Sequence, residues 1–140
     1  QAGGPRIYIG AFTEKAIARA VSLGDGWISG GFPPEVFAQV GAGVREAWQQ
    51  AGREGTPRLL ANVYFSLGVD GRATADAYIH DYYAFLGDQA AYVAGAVSTT
   101  PEAVQGAIAA YRDAGCDEIL FLPCSPDPSQ VALLAEAALA

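Results

Sequence analysis

Residues 6–29 read RIYIGAFTEKAIARAVSLGDGWIS. Arg6 to Gly10 is a run of β-formers ending at a glycine, where the chain must turn. Thr13 can cap a helix in which Ala16, Ile17, Ala20 and Val21 recur at helical spacing, and Gly24 predicts a left-handed C-terminal stop. Asp25-Gly26 then leads into a short strand, Trp27 to Ser29. Strand, helix and strand with such short connections specify two parallel strands joined by a right-handed crossover.

The chain beyond repeats this plan. Pro33 and Pro34 sit where a helix can begin, and Phe37, Val40, Val44, Ala47, Trp48 and Ala51 form an apolar face that runs to Gly52. Gly41-Ala42-Gly43 lies in the middle of that helix rather than in a strand-to-helix turn, so it predicts close packing and not a dinucleotide fingerprint. Arg58 to Leu67 is the longest strand candidate, and Gly68 to Arg72 is turn-rich. A helix follows from Thr74 with the stripe Ala75, Tyr78, Ile79, Tyr82, Tyr83 and Leu86. Thr100-Pro101-Glu102 opens another, which Gly115 ends. Glu118 to Pro123 reads as a buried strand, and Asp127-Pro128 caps a last helix. The expected strands are 6–10, 27–29, 58–65 and 118–123, and the expected helices are 13–23, 34–51, 74–86, 100–114 and 128–139.

Composition bounds the rest. Of the 140 residues 51% are hydrophobic and 16% charged, which places the chain among globular proteins, with one domain over 1–140 as the expectation. The net charge of −7 and eight scattered basic residues give no stripe to track phosphates, so nucleic acid is not expected as a partner. No apolar run approaches the roughly 20 residues of a membrane span, and a cytoplasmic protein is expected. Cys116 and Cys124 flank one predicted strand about 20 Å apart, too far for a disulfide, and neither has a His or CxxC partner, so no metal is expected. His80, the one histidine, falls off the apolar stripe of its helix. The sequence holds no Ser-His-Asp set, HExxH or Walker loop.

Three further stretches carry a family resemblance together with the opening one. Ile9-Gly10-Ala11-Phe12-Thr13, Ala18-Arg19-Ala20 and Gly24-Asp25-Gly26-Trp27-Ile28 resemble the fifth-strand to sixth-strand signature of luciferase-like flavin-dependent monooxygenases. Gln50-Ala51-Gly52-Arg53 is similar to the end of that family's sixth major helix, Ser98-Thr99-Thr100-Pro101-Glu102 to its Gly-Thr-Pro-Glu helix start, and Ala114-Gly115-Cys116-Asp117 to the approach to its last strand. Ala11 stands where the family often has a second glycine, and Ser98 or Thr99 near its usual glycine before Thr-Pro.

The resemblance implies the C-terminal half of a (β/α)₈ TIM barrel, with four parallel strands and flanking helices; the strand count alone would also fit an open doubly wound sheet. It implies an oxidoreductase or monooxygenase using FMN, or alternatively a deazaflavin coenzyme, acting on a small-molecule substrate. This half alone would be inactive, because much of the flavin-ring site belongs to the preceding strands. Gly10, Ala11, Phe12 and Thr13, at a glycine turn opening onto a helix N-terminus, are the candidate contacts to the cofactor phosphate. Phe32, Phe65 and Ser66 are candidate cavity-lining residues, and plain core packing suits them equally. A non-catalytic flavin- or anion-binding half-barrel module and a structural assembly domain are the alternatives. Naked sheet edges predict an oligomer, formed with the missing N-terminal half or a second copy of the chain.

Overall fold

The computed structural model describes residues 4–140. Its elements are β1 (Tyr8–Gly10), α1 (Glu14–Leu23), β2 (Gly26–Ser29), α2 (Pro34–Gln50), β3 (Arg58–Phe65), α3 (Gly71–Tyr82), a 3₁₀ helix (Ala84–Gln89), α4 (Ala90–Gly95), α5 (Pro101–Asp113), β4 (Glu118–Pro123) and α6 (Ser129–Leu139). One four-stranded sheet has the order β1-β2-β3-β4, and the β1–β2 and β2–β3 pairs are parallel. The β3–β4 pair is parallel too, since Asp117 N donates to Leu59 O at its start and Cys124 N to Phe65 O at its end. Four βα units with the edges left open are the half-barrel expected from the sequence.

The described residues form two compact units, one running to Asn62 and including 111–120, the other 63–110 with 121–140. In the first, register places Ile9, Trp27 and Leu59 on one face of the sheet. Trp27 packs on Phe37 of α2 with ring centroids 5.1 Å apart, and both are fully buried. A Cβ on Gly41 would come within 2.8 Å of Leu59 Cδ1, so the glycine lets α2 lie close on the sheet, as the mid-helix placement predicted. In the second unit Phe65 and Leu67 pack with Val104 of α5 and Ala137 of α6. Alternation along β3 puts Tyr64 on the opposite face, against Ala75, Ile79, Ala94, Val97 and Cys124.

Two local expectations are corrected. Gly24 is extended (φ −100°), not left-handed; its need for glycine is space, because a Cβ would meet the carbonyls of Ala20, Gly26 and Ile7 at 2.9–3.2 Å. α3 begins at Gly71 rather than near Thr74, since Gly71 sits against the Ser66 carbonyl so closely that only glycine fits. Gly71 is thus a helix residue, whereas the turn-rich composition of Gly68 to Arg72 predicts a loop there.

Gln130 of α6 secures the chain just after β3. Only 7% exposed, its Oε1 accepts from Leu67 N and its Nε2 donates to Leu67 O, both at 2.9 Å. Gln130→Leu should orphan both main-chain groups and lower the unfolding free energy by about 2 kcal/mol. Urea denaturation would show the midpoint falling with the slope unchanged.

Candidate functional site

The turn between β1 and α1 is built by three contacts. Thr13 is extended (φ −108°, ψ 156°), and its Oγ1 accepts from Ala16 N at 3.3 Å, the N-cap geometry that satisfies one of the first-turn N–H groups. The Ala11 carbonyl accepts from Trp27 Nε1 at 2.8 Å, which ties the turn to the core. Gly10 has open space at its Cβ position, with only Ile28 O near, at 3.8 Å. The Ala11 methyl is 1% exposed, so the side chain that replaces the family's usual glycine points into the protein rather than into this space. Glu14 already places a carboxylate in the first turn of α1, with Lys15 beside it.

Phe12 is 57% exposed and meets Phe32 edge to face at 4.6 Å. The Phe32 carbonyl accepts from the hydroxyl of Tyr111, whose ring lies on the buried side of α5. The structure thus brings Gly10, Ala11, Phe12, Thr13 and Phe32 together at the C-terminal ends of β1 and β2. Phe65 and Ser66 lie elsewhere, buried in the second unit: Phe65 is in the helix-side core, and Ser66 N donates to Ser98 O. Ser29, at the end of β2, is fully buried with its Oγ unpartnered.

Most residues of the quoted motifs have structural work instead. Asp25 Oδ2 accepts from Ile7 N, just before β1, at 2.7 Å, and Asp117 Oδ2 accepts from Leu59 N of β3 at 2.8 Å; each carboxylate takes an N–H from the start of the strand neighbouring the one it precedes. Arg53 donates to Val21 O and Gly24 O at the end of α1 while its guanidinium stacks 3.8 Å from the Trp48 ring centre. Thr100 Oγ1 accepts from Ala103 N at 3.2 Å, and hydrogen bonds from its own backbone N–H and then from Thr100 hold the Glu102 carboxyl below its usual range. His80 is exposed, and its Nδ1 bonds the Asp76 carbonyl one turn back. Both cysteines are free thiols, and burial pushes Cys124 up to about 11.

A family model described as luciferase-like monooxygenase matches residues 1–131. Among solved structures, an F420-dependent secondary alcohol dehydrogenase in complex with an F420-acetone adduct superposes with a TM-score of 0.75 at 15% identity, over 96% of this chain and 49% of that one. The coenzyme F420 dependent tetrahydromethanopterin reductase from Methanopyrus kandleri gives 0.61 at 16% identity, over 93% and 48%. EDTA monooxygenase from Chelativorans sp. BNC1 gives 0.68 at 11% identity, over 98% and 46%. The chain therefore spans about half the length of these structures, and at such identities the likeness shows the fold. No curated protein matches.

Proposed function

The chain belongs to the luciferase-like monooxygenase family, and we propose that it forms the C-terminal half of the barrel of a flavin- or deazaflavin-dependent oxidoreductase. In this reading the Gly10–Thr13 turn holds the cofactor phosphate. The observation that carries it is the open space at Gly10 beside a capped helix N-terminus. A phosphate needs a concave cradle of N–H donors near a positive dipole end, and the residues present fit that need. Backbone N–H groups of Phe12 and Thr13 are the donors proposed, with Ala11 turned inward and Lys15 next to Glu14 to offset its charge. When bound, the cofactor supplies the hydride or oxygen chemistry, and the protein's part is to bind and orient it and to exclude water. Phe12 and Phe32 offer an apolar wall at this end of the strands.

Titrating the full-length protein with FMN and with a deazaflavin coenzyme by fluorescence quenching tests the reading. Saturable binding of one of them supports it and names the cofactor; no binding of either would overturn it. Binding without turnover of any alcohol, aldehyde or amine donor would favour the non-catalytic module instead.

The same reading requires a partner for the sheet. β1 and β4 are its edges, and Leu120 is 37% exposed. Unpaired parallel edges leave N–H and C=O groups without partners. We expect the 140-residue chain to pair with the N-terminal half of the barrel or, expressed alone, with a second copy, burying more than about 1,000 Å². Light scattering at micromolar concentration should give no bare 14.5 kDa species.

A further inference from the structure

Tyr64 is the next-to-last residue of β3, on the face turned away from α5 and α6. Its hydroxyl lies 3.1 Å from that of Tyr83, the residue that ends α3. The face of β3 that carries Tyr64 is the one α3 and α4 pack on, and Tyr64 stands at the C-terminal end of β3, the end of a barrel strand where ligands bind. Two phenols share one hydrogen bond by using one of their two protons, so the pair keeps a second O–H to give. Burial, then the Tyr83 hydroxyl, raises the Tyr64 pKa well above the usual phenol value, so that proton stays in place throughout the physiological range.

Around the pair lies more aromatic surface than packing uses. Tyr78 is 6.1 Å from Tyr64 and stacks parallel on Tyr82 at 5.8 Å, while Phe85 follows Tyr83 at 5.9 Å. Tyr82 is 57% exposed and Phe85 77%. The segment that carries Phe85, Ala84–Gln89, buries no residue and bends at Gly87 (φ 56°). Such a segment opens at little cost, since few apolar contacts hold it.

We propose that the Tyr64–Tyr83 hydroxyl pair, with Tyr82 and Phe85 as its stacking surface, is a binding site for a flat aromatic ring bearing a carbonyl or phenol oxygen. The phenol proton bonds the oxygen and the rings take the face, the division of labour expected of a mostly apolar pocket with a few polar groups. The site rests on the oxidoreductase reading only in that the ring is then the substrate. A hydroxyl pair that did no more than pin the end of α3 to β3 would hold Tyr83 in place without discriminating between ligands.

The test uses the full-length protein with acetophenone and its oxygen-free counterpart ethylbenzene, measured by ligand-observed NMR, alongside titration with FMN and deazaflavin. Acetophenone should bind about five- to tenfold more tightly, one hydrogen bond's worth of preference. Tyr64→Phe and Tyr83→Phe should each reduce that ratio toward one while leaving ethylbenzene and cofactor affinity unchanged. Equal affinity of the wild type for both probes, a ratio unmoved in both variants, or no binding of either probe while cofactor binding is intact would overturn the site. Loss of cofactor binding with the acetophenone preference intact would remove the oxidoreductase reading alone.

Discussion

Replacing Gly26 by alanine is expected to destabilise the fold by about 3 kcal/mol or more, beyond the usual cost of overpacking. Gly26 pairs with Arg58 across the β2–β3 ladder. A Cβ there would lie against the Arg58 carbonyl oxygen, closer than any van der Waals contact allows, and 2.9 Å from Arg58 N. These are main-chain atoms of a hydrogen-bonded strand, so they cannot swing aside as the tip of a flexible side chain would. Slipping the register by one residue offers no escape, because it would turn Trp27 and Leu59, both fully buried, out of the core. The strands must part locally instead. Gly43→Ala is the control: nothing lies within 4 Å of its Cβ position, and alanine should stabilise α2 by up to about 1 kcal/mol. Urea denaturation of the two variants checks both signs, and a Gly26→Ala protein within about 1 kcal/mol of wild type would show that the β2–β3 pair yields where we expect it to be rigid.

The same glycine shows why the fold was legible. Gly24-Asp25-Gly26-Trp27 carries the family resemblance, and each of its residues serves the sheet: Gly24 and Gly26 by absence of a side chain, Asp25 by capping Ile7 N, Trp27 by holding the Ala11 carbonyl. Asp117, Arg53 and Thr100 do likewise at other junctions. These tasks fix residue type at fixed spacing, so they leave a pattern in one sequence. The ligand end of a barrel is made by loops whose residues are free to vary, so it leaves less.

What escaped the sequence reading has a matching cause. The expected helix 74–86 ends instead at Tyr82: Ala84–Gln89 is a 3₁₀ turn that buries nothing and bends at Gly87, and α4 beyond it is absent from the sequence expectation because Ala90 and Ala94 are its only buried positions. Phe65 was a candidate cavity residue and Tyr64 was not, although the two point to opposite faces. Along β3, Leu59, Ala61, Val63 and Phe65 share one wholly apolar face and Arg58, Leu60, Asn62 and Tyr64 the other, so alternation is the signal that separates the set with Phe65 from the set with Tyr64. The approach of Tyr64 to Tyr83, 19 residues on, follows from the docking of α3 over the sheet and from no spacing rule.

Gly10→Glu should abolish binding of the cofactor phosphate while leaving the protein folded. On sequence grounds a bulky acid at this position would act through both backbone strain and charge. The structure removes the first part: Gly10 does not have a positive φ, and its Cβ position meets only Ile28 O at an ordinary 3.8 Å. A glutamate is therefore accommodated, and its carboxylate stands in the space proposed for the phosphate, at the positive end of α1, where it takes the same N–H donors and repels the ligand. Loss of the shared N–H donors adds to the like-charge repulsion, and together they should remove binding at practical concentrations. Thr13→Ala is the graded companion. It removes the Oγ1 that accepts from Ala16 N and the hydroxyl proton that can donate to the phosphate, so it should cost about 1 kcal/mol of stability and about 1 kcal/mol of phosphate affinity, with the backbone donors still in place. Gly10→Ala, which adds bulk but no charge, should melt as the wild type does and lose little affinity. Thermal melts and FMN or deazaflavin titration of the three variants in the full-length protein separate the effects. A folded Gly10→Glu protein that binds cofactor at wild-type strength would place the phosphate away from this turn and from the α1 dipole.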